Sequence, residues 1–124
     1  VKLHHVGYVV RDIDAAAAGF PGLQFVHQVH DPLQHADLAL YAAGGSHIEF
    51  IQPLSPQAFT WGALERHGDA PHHVCYEGIA ACDIDALLAK HRMLKLRGPM
   101  PAVLFGRDVL FAMTRQRSIV EFLL

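Results

Sequence analysis

Residues Leu3-His4-His5-Val6-Gly7-Tyr8 read LHHVGY, and Pro71-His72-His73-Val74-Cys75-Tyr76 read PHHVCY. Two near-copies of one phrase in a chain of 124 residues point to an internal repeat, and self-similarity of this kind decides architecture before any local propensity does. The phrases that follow also recur, in the same order. RDIDAAAAGF begins at Arg11 and CDIDALLAK at Cys82, while HIEFIQP begins at His47 and SIVEFLL at Ser118. Glu49 therefore stands to His5 much as Glu121 stands to His73.

Short alternating or β-branched runs predict strands over 3–10, 24–29, 37–42 and 46–51 in the first half. The spacing predicts a helix over 13–19, with Asp12 as its N-cap, an alanine-rich body, and Gly19, Pro21 and Gly22 as the stop. The second half repeats this plan, with strands over 72–77, 93–96, 109–113 and 119–124 and a helix over 83–91. Its extra residues at 78–81 form a loop. The fold class is α+β, two βαβββ modules in tandem, spanning about 1–54 and 72–124 of a single domain. The connector, about 55–71, holds a short helix over 56–66. Prolines and glycines interrupt the pattern over 97–108, and a loop is expected there.

Composition narrows the function classes. Hydrophobic residues make up 52% and charged residues 18%, the balance of a globular chain, and a net charge of −2 gives no electrostatic reason to expect nucleic acid. Cys75 and Cys82 form no CxxC pair, so a reducing cytoplasm is expected. No apolar run reaches the ~20 residues of a membrane helix, and no leader-like segment opens the sequence, so no membrane partner is expected.

Alternation along a strand places His5 on one face with Leu3, Gly7 and Val9, and His73 with Cys75 and Glu77, and it turns His4 and His72 to the other face. The two glutamates sit inside apolar strands, IEFI and VEFLL, where an unpaired carboxylate is costly. Taken singly, a histidine in a strand is more often structural than a ligand, and a strand glutamate more often faces water. A duplicated His/Glu set makes that reading require the same coincidence twice. Two imidazoles and two carboxylates suit cobalt, nickel, zinc, manganese or iron, so His5, Glu49, His73 and Glu121 are candidate ligands of one divalent metal.

The segments LHHVGYVVRDIDAAAAGF, IEFIQPLSP, HHVCYE and VEFLL resemble the paired modules of the vicinal oxygen chelate superfamily, which includes glyoxalase I, methylmalonyl-CoA epimerase, extradiol dioxygenases and bleomycin-resistance proteins. The resemblance implies a curved mixed β-sheet cup with helices outside, and it carries metal-ligand roles onto His5, Glu49, His73 and Glu121. The run from IEFIQPLSP to HHVCYE is most similar to the epimerase branch. This implies a metal-dependent isomerase or epimerase that takes a proton from the carbon next to a carbonyl, with an acyl-CoA thioester as a candidate substrate and Glu121 or Glu49 as the base. A glyoxalase I-like lyase and a non-catalytic drug- or metabolite-binding protein are the alternatives. Epimerase-like members carry an acid in the segment matching DPLQHAD, where this chain has Leu33; Gln34 is retained. Gln34 and Arg115 are the candidate substrate-binding residues, and a homodimer is expected.

Overall fold

A computed structural model describes residues 1–124. The first half contains β1 (Lys2–Val9), α1 (Ile13–Ala18), β2 (Gln24–Asp31), β3 (Ala36–Ala43) and β4 (Ser46–Pro53). After α2 (Trp61–His67) the second half contains β5 (Ala70–Glu77), α3 (Ile84–His91), β6 (Leu94–Ala102), β7 (Arg107–Met113) and β8 (Ile119–Leu123). The eight strands form one mixed sheet in the order β2-β3-β4-β1-β5-β8-β7-β6. Within each half the first strand pairs parallel with the last, β1 with β4 and β5 with β8. The two first strands meet antiparallel at the centre, so the repeated histidine phrases run side by side. The sheet curls into a cup with helices outside, as the resemblance implies.

The helices α1 and α3 each cover the outer face of their own half. Asp12 accepts hydrogen bonds from the N–H groups of Asp14 and Ala15, capping α1 as expected, and Ile13 packs into a cluster with Val10, Ala39 and Phe50. In α3, Ile84 and Leu88 join Leu110, Val120 and Phe122. The inner face carries two further clusters, one around Val9, Leu38, Ile51 and Leu104 and one around Cys75, Val109, Phe111 and Leu123. Burying each large apolar side chain stabilises the fold by about 1.5–3 kcal/mol, so both faces of the sheet hold it curved.

Two local expectations are corrected. Residues 97–102 are strand, not loop, because β6 continues to Ala102 and only a tight turn at 103–106 separates it from β7. Pro99 and Pro101 are tolerated because β6 is the outermost strand, where a missing N–H costs no ladder bond, and register shifts absorb the irregularity. The connector helix starts at Trp61 rather than near Pro56. The chain first turns at 55–60, where the Ser55 hydroxyl accepts from the Gln57 N–H, an arrangement that competes with helix formation.

Candidate metal centre

His5 on β1, Glu49 on β4, His73 on β5 and Glu121 on β8 project from the four central strands to the inside of the cup. One donor atom from each lies within 4.8 Å of the other three. The His5 and His73 Nε2 atoms are 3.3 Å apart. Glu49 Oε1 is 3.5 Å from His5 Nε2 and 3.4 Å from His73 Nε2; Glu121 Oε2 is 3.9 Å and 2.9 Å from the same atoms. Donors about 2.0–2.1 Å from a tetrahedral ion stand about 3.3–3.4 Å from one another, so the five spacings just given fit such a group with shifts of up to about half an ångström. All four residues are buried, with 1%, 3%, 4% and 2% of their surface exposed in chain order.

The neighbouring histidines do not point away. The β1–β5 register shifts between Leu3 and His5 and again between Gly7 and Tyr8, leaving His4 and His72 as extra residues. Such bulges re-aim side chains and break strict alternation. The His4 ring therefore lies in the cup, stacked on His47 and edge-on to Phe105, and the His72 ring lies against Phe59. His4 Nδ1 is 2.8 Å from His5 Nδ1, and His72 Nδ1 is 2.9 Å from His73 Nδ1. The sequence offered one signal of this, a doubled histidine in both copies, since only one residue of each doublet is needed as a ligand.

Burial without counter-charges would empty this centre of charge. For Glu49, burial raises the pKa, but the hydrogen bonds and charges of His5 and His73 outweigh it and hold the carboxyl at about 2. For His73, burial opposes protonation, yet Glu121 and then Glu49 more than offset it and lift the ring to about 10. His72 is pushed down to about 4 by burial and by its charged neighbour His73. Burial, reinforced by the charges of Glu121 and Glu49, drives the Cys75 thiol well above its ordinary range, so Cys75 is an inert filler. Without a cation, a proton on His73 thus offsets part of the negative charge of the centre, and a divalent ion would take over that role.

A sequence model of the Glyoxalase/Bleomycin resistance protein/Dioxygenase superfamily matches residues 4–111. The chain belongs to this superfamily. Among curated proteins it is similar to the uncharacterized protein YqjC of Bacillus subtilis, 28% identical over 94% of this chain and 86% of that one. Among solved structures, the hypothetical protein BH1468 of Bacillus halodurans superposes with a TM-score of 0.87 at 22% identity, covering 98% of this chain and 92% of that one. Methylmalonyl-CoA epimerase from Mycobacterium tuberculosis gives 0.84 at 18% identity, with 98% and 85% coverage. A single-residue variant of the Streptomyces coelicolor epimerase, in complex with 2-nitronate-propionyl-CoA, gives 0.83 at 17% identity, with 98% and 92% coverage. At these identities the structural likeness speaks for the fold.

Within this superfamily cup the remaining predicted residues lie apart from the four donors. Leu33 is half exposed in the β2–β3 turn, and its carbonyl accepts from Arg97. Gln34 is buried, but its side chain donates to Asp31, whose carboxylate also accepts from the Leu33 and Gln34 N–H groups. Asp31 therefore organises the turn. Arg115 lines a cavity of about 980 Å³ that also reaches His73 and is bordered by Arg66, Arg92, Arg117 and Thr114. Outside the centre the ion pairs are Lys2–Glu77, Arg107–Glu77, Lys95–Asp85 and His30–Asp37, so none of these four arginines is neutralised. Gly7 was not foreseen as a site residue. A Cβ on it would overlap the His73 ring, so only glycine lets that imidazole cross β1. No helix is long and apolar enough to cross a membrane.

Proposed function

We propose that the protein is a metal-dependent isomerase of the epimerase kind, acting on the carbon next to a carbonyl. The observation that carries this reading is the convergence of His5, Glu49, His73 and Glu121 on one ion-sized space. A divalent cation held there supplies Lewis-acid stabilisation for the negative charge that develops on a carbonyl oxygen when the adjacent carbon loses its proton. Glu121 and Glu49 are the acid–base pair. They sit on different strands of the two halves, and moving a proton off one side of a carbon and back onto the other requires two groups or one mobile group. Asp31, the carboxylate nearest Leu33 in sequence, is committed to its turn, which leaves the two glutamates as the bases inside the cup.

The unneutralised arginines support a substrate with an anionic portion, and Arg115 is the residue proposed to hold it, because planar guanidinium groups pair well with carboxylates and phosphates. An acyl-CoA thioester meets that description, and the epimerases among the structural neighbours favour it. Gln34 would act only after leaving Asp31. Phe105, stacked on His5 with ring centroids 5.2 Å apart, and Leu104, buried in the first half's core, close the cup over the donors. The His5 side of the centre is thus covered by the 103–106 turn, whereas the cavity bordered by Arg115 reaches the His73 side. The edge strands β2 and β6 expose Phe25, Val26 and Leu94, which supports a homodimer, and the two unpaired cysteines support a cytoplasmic setting.

The test is solvent deuterium exchange into a panel of acyl-CoA thioesters, with 2-oxo hemithioacetals as the arm for a glyoxalase I-like lyase. Exchange that needs added cobalt, is stopped by chelator and is lost in Glu121→Ala supports the epimerase reading; exchange indifferent to chelator defeats it. The sealing of the centre favours one other reading, a closed structural metal in a non-catalytic binding protein. In that case the visible spectrum of the cobalt form stays constant when carbonyl compounds are added.

A further inference from the structure

The duplicated phrase carries a second histidine in each copy, and the metal set uses only one. Both spare rings are brought to the inside of the cup by a backbone irregularity, one in β1 and one in β5. Both make the same contact, Nδ1 to Nδ1, with the ligand histidine that follows, at 2.8 and 2.9 Å. Both are nearly perpendicular to that neighbour, with interplanar angles of 82° and 88°, and each is braced by a phenylalanine, Phe105 or Phe59. A contact repeated in two halves that otherwise differ at these walls is a requirement of the centre and not of local packing.

A hydrogen bond between two ring nitrogens needs one N–H and one lone pair. The ligand ring must keep its Nε2 lone pair for a cation, so in its neutral form its proton is on Nδ1 and that atom donates. We propose that His4 and His72 are positioning residues: each accepts, at its Nδ1, the Nδ1–H of the following histidine and so fixes the tautomer and ring direction of His5 and His73. The inference rests on the metal reading of the centre. Metal-ligating histidines commonly donate this proton to a carboxylate or a carbonyl, and here a neutral imidazole takes that place on both sides.

The experiment measures cobalt and zinc affinity, by competition with a chelator, for the parent and for His4→Phe, His72→Phe and the double variant, with thermal melting to confirm folding. Phenylalanine keeps the aromatic packing and removes the acceptor. Each single variant is expected to bind about 10- to 100-fold more weakly, as loss of an outer-shell partner typically does. Imidazole ¹⁵N spectra of the zinc-loaded parent are expected to show Nδ1 protonated in His5 and His73 and bare in His4 and His72. Folded variants with parental affinity overturn the positioning role while leaving the metal centre in place. A parent that binds neither metal overturns the reading beneath it as well. If His4→Phe and His72→Phe do not fold, His4→Gln and His72→Gln replace them, and the ¹⁵N assignment of the parent decides the hydrogen bonds directly; a protonated His4 or His72 Nδ1 facing its neighbour defeats them.

Discussion

The two halves supply the same donors to the centre and hold them differently. On the second-half side, His73 Nε2 and Glu121 Oε2 form a close pair at 2.9 Å; on the first-half side, His5 Nε2 and Glu49 Oε1 are 3.5 Å apart. His73 also lies 3.4 Å from Glu49, so one imidazole serves both carboxylates. A duplication sets the positions of four side chains, but it does not make their contacts equal. Glu121 lies closest to His73 and helps to raise its pKa, so the symmetry of the sequence becomes an asymmetry of charge.

The largest expected effect comes from breaking that charge arrangement. In metal-free protein, Glu121→Gln leaves His73 with only its longer contact to Glu49, and removing one partner of a buried ion pair costs about 3–5 kcal/mol. Glu49→Gln breaks only the longer contacts and is expected to cost about 1–3 kcal/mol, the range for a lost partner of a buried polar group. Chemical denaturation of both variants in chelator measures the difference, and equal costs would show that the two halves hold their donors alike after all. Both variants are expected to lose metal.

The same asymmetry has a pH signature. His73 is raised from 6.5 to about 10, so its contribution is complete below pH 6.5 and is lost as pH rises through 10. Glu49 is depressed from 4.5 to about 2, so its contribution is complete above pH 4.5 and is lost as pH falls through 2. Metal-free protein should therefore lose stability steadily between pH 6.5 and 10. Metal binding displaces the His73 proton, so affinity should rise over that same window. Melting curves against pH, with and without zinc, test both statements. A metal-free melting temperature that stays flat from pH 6.5 to 10 would place the proton elsewhere.

Much of this centre was legible in the sequence, and the reason is the repeat. His5, Glu49, His73 and Glu121 could be paired because each has a counterpart at an equivalent place, which no composition or local pattern would have supplied. Alternation sends His4 and His72 to the wrong face because it holds only while register holds, and the bulges arise from how β1 and β5 meet, a contact between residues far apart in the chain. The continuation of β6 beyond residue 96 was hidden for a related reason. Prolines read as breakers until the strand is known to be an edge, and edge position is a property of the assembled sheet. The closure of the cup by Leu104 and Phe105 also comes from the tertiary fold, since a turn of the second half reaches the core of the first.

Gly7 and Cys75 test the asymmetry at the point where the two histidine phrases part. Gly7→Ala sets a methyl group against the His73 ring, which its ion pair with Glu121 prevents from swinging aside. Overpacking of this kind costs about 1–3 kcal/mol, and here the strain falls on a proposed ligand, so metal affinity should drop with stability. Cys75→Ala removes a buried but inert sulfur. Its cost should stay near about 1 kcal/mol, comparable to a buried methylene, with metal affinity unchanged. If Gly7→Ala binds metal as the parent does, the imidazole has room that the first half does not visibly provide.

The last expected effect concerns access, and it is kinetic. Phe105 belongs to the second half but covers the first-half ligand, lying flat on His5 and edge-on to His4. Nothing comparable lies flat on His73, whose neighbour Phe111 meets it edge-on. His5 is thus covered by a residue of the four-residue turn at 103–106, and His73 is flanked by a residue of the sheet. Phe105→Ala removes contact from a half-buried ring, about 1.5 kcal/mol, which corresponds to about a tenfold change in the opening equilibrium. Because the donors themselves are untouched, equilibrium metal affinity should change little while chelator strips the metal about tenfold faster. Stopped-flow release from the cobalt form separates the two quantities. Phe111→Ala, on the sheet side, should instead destabilise the fold without opening that path, and an equal acceleration from both variants would mean that the metal leaves by general loosening of the cup and not through the turn.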